Sequence, residues 1–548
     1  MSGRLIPSRL AALAGAVALL AAACSPSAVS ETSSRQSDDD ASVAAGDADS
    51  SGSSDSAGDA TSAGVADGDT GGTGGDTVTG DGDAGDGADG PFEPAAIEWE
   101  EFNDAVDVGT LEVPVDYDDP AGPTFELFLA RYRAIDSDNR VGSLLVNPGG
   151  PGFGGSDYAF FAAQVFDRPL LERFDIIGWD PRGTGESDPP IDCIDDYDPY
   201  FTDIDSTPET EEERTELVET AQDFARQCVA NNADIIQHVG TNNSARDMDS
   251  IRRALGEETI SYFGFSYGSE LGATWATLFP ETVRAAVLDG AADPEADALE
   301  SSLQQLAGFE ASLTKFLARC SADTECPLHN DGDAESAFEE LMVSLDADPV
   351  IGETGRPRVN RDVATIAVIQ AMYSESFWAA LRTSLGAAAD GDGSGLLALH
   401  DNYYQRASDG TYGNELEAFQ AISCADTPER PTVDEVEAEQ ELFTEVAPRL
   451  VPEGSAGGFF CSFFPEAIEP RATVTGDGAG PIVVIGTTGD PATPFESTVR
   501  MSNILEDGRL VVVEADQHTG YGVNRCVIEV VNDYLIDLEP PADETECR

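Results

Sequence analysis

The chain has 548 residues, and its 104 acidic and 29 basic side chains leave a net charge of −75 at neutral pH. Hydrophobic residues make up 41% of it, enough for a large buried core. Such acidity excludes binding to nucleic acid or to an anionic surface. We interpret the acidity mainly as a solubility feature, and the alternative is that acidic groups bind a cationic part of a substrate.

The first segment is typical of an export signal. Arg4 and Arg9 precede an apolar run from Leu10 to Ala23 that is too short to span a bilayer. Residues 1–23 therefore predict a lipoprotein signal peptide, with Cys24 as the acylated amino terminus. We expect an exported protein that is anchored to the outer face of the cell membrane and touches the membrane only through Cys24. The alternative is ordinary cleavage and full secretion.

Residues 24–92 are rich in Ser, Asp, Gly, Ala and Thr and have almost no large apolar side chains. Such a segment cannot bury enough surface to offset the entropy lost on ordering. It predicts a disordered tether ahead of a folded region.

The folded region begins with strand-like segments at 106–115 and 124–132, followed by an apolar strand over 141–146. The glycine-dense loop 147–156 comes directly after this strand. A loop of this kind lets backbone N–H groups face a developing oxyanion. We expect Gly149 and Gly150 to act there together with the N–H of Tyr267. After a further strand at 174–179, the turn 180–187 contains Arg182, which we expect to tie loops together.

Ser266 lies in the run Gly264-Phe265-Ser266-Tyr267-Gly268, just after an apolar segment. This pattern predicts a nucleophile elbow, a sharp strand-to-helix turn that only glycine-sized neighbours allow to close. Serine needs a histidine base to become a strong nucleophile.

His518 is the best of the four histidines for this role, because it lies in a glycine-containing loop after the strand 510–513. Asp490 follows the preceding strand, 481–486. The order Ser266, Asp490, His518 is the order of an α/β-hydrolase triad. Asp289, at the end of the predicted strand 283–289, is the alternative for the acid.

Between the strand that ends at Asp289 and the one that begins at Pro481, the pattern is helical. It predicts helices over 298–320, 334–345, 361–381 and 433–450, and we expect them to form a cap over the nucleophile. We expect its aromatic side chains to be mainly cap core: Phe377, Trp378, Tyr403 and Tyr404.

Nine cysteines leave an even set of eight once Cys24 is lipidated. In an exported chain this predicts four disulfides. Sequence proximity favours Cys193 with Cys228, Cys320 with Cys326, Cys424 with Cys461, and Cys526 with Cys547, although other pairings stay open. The spacing of His and Cys does not match a metal site, so we expect no metal and no cofactor.

Several of these stretches together resemble the secreted bacterial tripeptidyl aminopeptidase and proline iminopeptidase group of α/β-hydrolases, and more closely its tripeptidyl aminopeptidase branch. They are Val113–Tyr117, Asn147–Gly152, Asp180–Ser187, Gly264–Gly268, Ile422–Asp426 and Gly489–Pro494 with the histidine loop. Pro148 stands where the iminopeptidase loop has histidine, which argues against strict proline iminopeptidase activity.

The resemblance implies an α/β-hydrolase fold with a mostly helical cap inserted before the late strands. We expect core segments at 93–290 and 479–548 and the cap at 291–478. It also implies a serine exopeptidase that removes short peptides, in this branch tripeptides, from free amino termini. Asp426 is the candidate for binding the substrate amino terminus. The alternatives are a carboxylesterase of the same fold and a catalytically idle binding lipoprotein.

Overall fold

The computed structural model describes residues 92–548. The predicted signal peptide, Cys24 and the predicted tether up to residue 91 lie outside the described residues. Within residues 92–548, ten strands form one sheet in the order β1-β2-β3-β5-β4-β6-β7-β8-β9-β10. Their bounds are β1 (Glu100–Glu101), β2 (Val106–Pro114), β3 (Thr124–Tyr132), β4 (Gly142–Asn147), β5 (Phe174–Trp179), β6 (Ile260–Phe265), β7 (Val283–Asp289), β8 (Ile482–Thr487), β9 (Gly508–Val513) and β10 (Thr545–Cys547).

The sheet is antiparallel from β1 to β5 and parallel from β5 to β10. Every residue of β4, β6 and β8 is buried. Because helices cover both faces of such strands, the sequences of the strands are continuous apolar runs. The eight predicted strands are confirmed. Strands β1 and β10 were not predicted, because segments of two and three residues are too short to show an apolar pattern.

Six helices lie between β4 and β7, and two follow β8. They are α1 (Ser156–Phe160), α2 (Ala162–Val165), α3 (Arg168–Arg173), α4 (Glu211–Asn231), α5 (Thr241–Ala254) and α6 (Tyr267–Leu278), then α14 (Phe495–Ile504) and α15 (Arg525–Asp537). Among residues 92–548 we find no helix that could span a membrane.

The chain leaves the sheet at Asp289 and returns at Ile482, and we call the stretch 291–478 the cap. Its helices are α7 (Ala298–Ala322), α8 (Ala334–Ala347), α9 (Arg361–Met372), α10 (Trp378–Ala389), α11 (Ser394–Tyr403), α12 (Glu415–Asp426) and α13 (Val433–Val446). Most of their buried side chains form a hydrophobic cluster separate from those on the two faces of the sheet. The exact cap boundaries stay a prediction.

The single helix predicted over 361–381 is wrong, because α9 ends at Met372 and α10 starts at Trp378. Ser374 between them has an extended backbone, and its side chain accepts a hydrogen bond from the N–H of Ser376. A serine in this position caps a new helix and so interrupts the old one. Trp378 is buried in the cap cluster, whereas Tyr404 packs against the core of the sheet domain.

Helix α4 has no counterpart among the predicted helices. It begins with a capping box in which Thr210 and Glu213 bond each other's backbone, a signal that the sequence contains. Ala221 of this helix packs with Val436 of α13 and with Phe459. An insertion before the elbow and one after it therefore pack together.

Four disulfides connect the cysteine pairs that sequence proximity favours: Cys193–Cys228, Cys320–Cys326, Cys424–Cys461 and Cys526–Cys547. The first ties the segment before α4 to that helix. The third connects α12 to the chain after α13, and the last connects α15 to β10. Three of the four bonds therefore join a helix to a segment more than 20 residues away in sequence.

Candidate active site

The predicted site residues come together at one edge of the sheet. Strands β6 to β9 are parallel, and Phe265, at the end of β6, pairs with Asp289, at the end of β7. Thr487 and Val513 pair with each other at the ends of β8 and β9. The loops that follow these strands carry Ser266, Asp490 and His518. In open α/β sheets, this carboxyl edge is where ligands bind.

Ser266 joins β6 to α6 in a backbone conformation that is rare for residues other than glycine, with φ 55° and ψ −127°. Its N–H donates to the carbonyl of Asp289 over 2.8 Å. The close approach at this turn depends on two glycines, since a Cβ at Gly264 would overlap the carbonyl oxygen of Gly268 and a Cβ at Gly268 would lie 2.8 Å from that of Asn147. This is the geometry of a nucleophile elbow.

The imidazole of His518 is fixed by Asp490. Its Nδ1 lies 2.9 and 3.0 Å from the two carboxylate oxygens, and that carboxylate has no exposed surface. The N–H groups of Ala492 and Thr493 also donate to Asp490. The other ring nitrogen, Nε2, is buried without a hydrogen-bond partner among the described residues. An Nδ1 proton held by the carboxylate leaves Nε2 free to act as a base.

The charge state of His518 follows from its surroundings. Burial by itself lowers the pKa of the imidazole, but the charge and hydrogen bond of Asp490, with the charge of Asp289, outweigh it. The pKa of His518 therefore lies above its usual value of 6.5. A carboxylate that stabilises the imidazolium is what general-base catalysis by this ring needs.

Asp289 has a different task from Asp490. Its two carboxylate oxygens accept hydrogen bonds from the backbone N–H groups of Gly520 and Tyr521, each over 2.7 Å. Burial raises the pKa of Asp289 to about 7, although these hydrogen bonds and the nearby imidazole favour its charged form. Asp289 thus holds the backbone of the histidine loop, while Asp490 is bonded to the ring.

The structure changes the predicted set of oxyanion donors. The N–H of Gly149 donates to the side-chain oxygen of Asn147 over 2.9 Å, so it is not free for a substrate. Gly149 instead lets the loop lie against the elbow, because a Cβ there would be 2.9 Å from Cβ of Ser266 and 3.0 Å from the nitrogen of Tyr267. Gly150 and Tyr267 stay the predicted donors.

Asp426 lies near the elbow, at the amino-terminal end of α5. One carboxylate oxygen accepts from the N–H of Thr241 over 2.7 Å and the other from its hydroxyl over 2.5 Å. That hydroxyl also contacts the phenol of Tyr267. Burial and the charge of Glu270 raise the pKa of Asp426 to about 7, against the hydrogen bonds from Thr241 and the charge of Arg471. These two bonds make Asp426 the acceptor for the amino terminus of α5, and its contact with a substrate amino terminus stays a prediction.

Arg182 is buried and ties loops together, as predicted. It bonds both oxygens of Asp247 and the carbonyls of Pro114, Val115 and His238. A buried charge with all these partners stabilises the segments that support the site.

One neighbour of His518 was not foreseen from the sequence. Tyr373, at the end of α9, accepts a hydrogen bond at its carbonyl from the N–H of His518 over 2.9 Å. Its ring stands edge-on to the imidazole, with 5.6 Å between the ring centroids. These residues are 145 positions apart in the sequence, and no local pattern marks such a contact.

Comparison with known proteins agrees with this geometry. A family model described as alpha/beta hydrolase fold matches residues 142–524. The chain is 36% identical over 455 residues to serine protease Hip1 of Mycobacterium tuberculosis, which covers 80% of this chain and 86% of that protein. It is 36% identical over 452 residues to carboxylesterase B of the same species, covering 80% and 85% of the two chains.

Tripeptidyl aminopeptidase of Streptomyces lividans is 27% identical over 474 residues, covering 83% of this chain and 86% of that protein. The resemblance noted from the sequence motifs is therefore confirmed. The family model matches more than half of the chain, and two relatives are 36% identical to it over 80% of its length. The chain therefore belongs to the alpha/beta hydrolase fold family and is a serine hydrolase.

Proposed function

We propose that the chain is a serine exopeptidase that removes short peptides, most simply tripeptides, from free amino termini. Ser266, His518 and Asp490 are the catalytic residues in this proposal. The observation that carries this assignment of catalytic residues is the pair of contacts from Asp490 to Nδ1 of His518, with Nε2 buried and without a partner among the described residues. That arrangement presents a base at the strand edge where the elbow serine also lies.

The reaction follows from these positions. Nε2 of His518 takes the proton of Ser266 as its hydroxyl oxygen attacks the scissile carbonyl. The N–H groups of Gly150 and Tyr267 donate to the oxyanion of the tetrahedral intermediate. Collapse of the intermediate breaks the C–N bond, and the imidazolium gives its proton to the leaving amine. Water, activated by the same ring, then hydrolyses the acyl-enzyme and releases the short peptide.

We base the proposed preference for a free amino terminus on the acidic groups around the elbow. Asp426 and Glu270 are both close to Tyr267, and Arg471, which forms an ion pair with Glu270 and also acts on Asp426, supplies one positive charge against these two carboxyl groups. A protonated amine is the substrate group that would complement the remaining negative charge. The names of the relatives from Mycobacterium and Streptomyces support peptide substrates.

A carboxylesterase is the second candidate. A relative that bears this name is as similar to the chain as the serine protease is, at 36% identity. The same serine, base and oxyanion donors cleave esters, so the site geometry does not separate the two activities.

The deciding experiment offers the purified protein a set of peptide amides in two forms, with a free and with an acetylated amino terminus, and reads the fragments by mass. We expect release of short amino-terminal fragments from the free form only. Ser266→Ala is the control and should lower the rate by at least about three orders of magnitude. Equal cleavage of both forms, or hydrolysis of simple acyl esters alone, would contradict the exopeptidase.

Asp426 has its own test. Asp426→Asn should raise KM for free peptides more than 100-fold, because breaking a buried pair between ammonium and carboxylate costs about 3 to 5 kcal/mol. A KM that changes equally for free and acetylated peptides would assign Asp426 to the structure of α5 alone.

We also propose that the protein is exported and anchored through a lipid on Cys24. Four disulfides are typical of proteins that fold outside the cytoplasm, and they support this location. Metabolic labelling with a radioactive fatty acid should mark the chain and should fail in Cys24→Ala. Labelling that persists in this variant would contradict the proposed lipid anchor at Cys24.

A further inference from the structure

One helix of the cap lies along both loops that carry the proposed acid and base. Gln305 of α7 donates to the carbonyl of Ala492, and a Cβ at Gly308 would overlap the carbonyl of Pro491. Gly308 and Lys315 are seven residues apart, which places them on the same side of an α-helix. This side of α7 therefore contacts the loop that carries Asp490.

Lys315 contacts the second loop as well. Its Nζ lies 2.5 Å from Oδ1 of Asp516, two residues before His518. A Cβ at Gly489, one residue before Asp490, would lie 2.8 Å from the same Nζ. The ammonium group of Lys315 thus lies beside the acid loop and the histidine loop at once. Lys315 is also the one lysine among the 29 basic residues of the chain.

The histidine loop has other contacts besides Lys315, and before His518 these include the hydroxyl of Thr487 donating to the carbonyl of Gln517 and the N–H of Gly489 donating to that of Ala515. Tyr373 accepts from the N–H of His518, and Asp289 accepts from Gly520 and Tyr521. Arg319 is 3.7 Å from Asp516, but it bonds Glu375 more closely. Before His518 the loop has the Lys315 ion pair as its close charged contact, and after His518 it has Asp289.

We infer that Lys315 is a positioning residue for the catalytic pair, holding the histidine loop and the acid loop in register through Asp516. The inference rests on the proposed roles of His518 and Asp490. A base must face both its acid and the serine, and a displacement of about 1 Å at a reacting group can cost on the order of 100-fold in rate. A partly exposed ion pair adds little to stability. Its loss should therefore appear in turnover rather than in folding.

The pH profile offers a readout that a purely structural role would not move. The groups that surround the His518 ring are Asp490 and Thr493 from the acid loop, Tyr373 from the cap, and Asp289 at the end of β7, which acts through its charge. Asp490 raises the pKa of His518. If the histidine loop relaxes away from Asp490, this pKa falls, and the acidic limb of the kcat profile moves to lower pH.

The experiment compares Lys315→Met with Lys315→Arg in the full chain, using a chromogenic acyl ester so that the outcome does not depend on peptide specificity. We expect Lys315→Met to lower kcat about tenfold with little change in KM, and to move the acidic limb to lower pH. Lys315→Arg, which keeps the charge, should restore most of the rate. Arg382→Met is the matched control, since it removes a cap ion pair of similar exposure, with Asp323. Thermal melting checks that all variants are folded.

Chemical modification gives a second measurement, because the chain has one lysine. Acetylation of Lys315 removes its charge and should lower kcat, whereas amidination keeps the charge and should not. The Lys315→Arg variant controls for reaction at the terminal amine. If Lys315→Met and the acetylated enzyme keep the kcat and pH profile of the wild type, the inference is overturned. A wild-type enzyme that does not react with a fluorophosphonate at Ser266 would instead overturn the proposed triad itself.

Discussion

At the residue scale, two buried aspartates near His518 divide the work between them. Asp490 is bonded to the ring, and Asp289 is bonded to the backbone of the loop that follows it. Asp289 ends β7 and Asp490 follows β8 at the same sheet edge, so the sequence favoured Asp490 as the acid and kept Asp289 as the alternative. The direction of each carboxylate separates them in the structure.

This division predicts unequal effects for two matched substitutions. Asp490→Asn should lower kcat by about four orders of magnitude, because the imidazole loses the partner for its proton and for its charge. Asp289→Asn leaves one buried N–H without an acceptor, which should cost about 1 to 3 kcal/mol of stability and a modest fraction of activity. Both variants are assayed at equal folded concentration. An inactive Asp289→Asn beside an active Asp490→Asn would reverse the assignment.

At the scale of elements, the loop after β4 and the elbow before α6 approach each other more closely than side chains allow. A Cβ at Gly149 would lie 2.5 Å from the carbonyl oxygen of Phe265, and this glycine has φ +100°. The obstructing atoms belong to the backbone, so they cannot move aside as a flexible side chain can. The relation between the loop and the elbow therefore depends on this glycine.

Gly149→Ala should displace the loop from the elbow and lower kcat/KM at least about 100-fold. Gly256→Ala is the matched control, because Gly256 has φ +74° but nothing within 4 Å of its missing Cβ. It should show only the strain of a positive φ, roughly 1 kcal/mol or more, with normal kcat/KM. Kinetics and thermal melting of both variants test this. Similar losses of activity in the two would attribute the effect to strain alone.

At the scale of the whole molecule, the charge imbalance extends into the buried part. Four carboxyl groups, of which Asp289 and Glu417 are buried and the other two partly buried, have a pKa raised to about 7: Asp157, Asp289, Glu417 and Asp426. Burial is the first cause for each of them. The protonated form of such a group is favoured in the folded chain, whereas in the unfolded chain the group ionises near its usual pKa of about 4.

The sign of the pH dependence follows from this difference. Between about pH 4 and pH 7 the folded chain binds more protons than the unfolded chain, so its free energy of unfolding falls as pH rises. Tm should therefore be higher at pH 5 than at pH 8 by a few degrees, and salt should raise it at pH 8 by screening the net charge of −75. Glu417→Gln should make the dependence shallower. A Tm that rises from pH 5 to pH 8 would contradict this account.

The sequence by itself determined much of the fold and the identity of the proposed catalytic residues. The continuous apolar runs at β4, β6 and β8 mark strands covered on both faces, and the glycines around Ser266 mark a turn that other residues cannot form. These signals are local, because each depends on residues next to one another in the chain. The order of serine, acid and histidine then indicated the topology.

Only the tertiary structure decided which atoms meet. The N–H of Gly149 bonds Asn147 and not a substrate, Asp490 rather than Asp289 faces the imidazole, and Tyr373 of the cap holds the backbone of His518. The break between α9 and α10 is also decided by tertiary structure, since Tyr373 and Ser374 within it lie against the histidine loop. Such contacts join segments far apart in sequence, and their geometry depends on how the cap and the strand ends pack together.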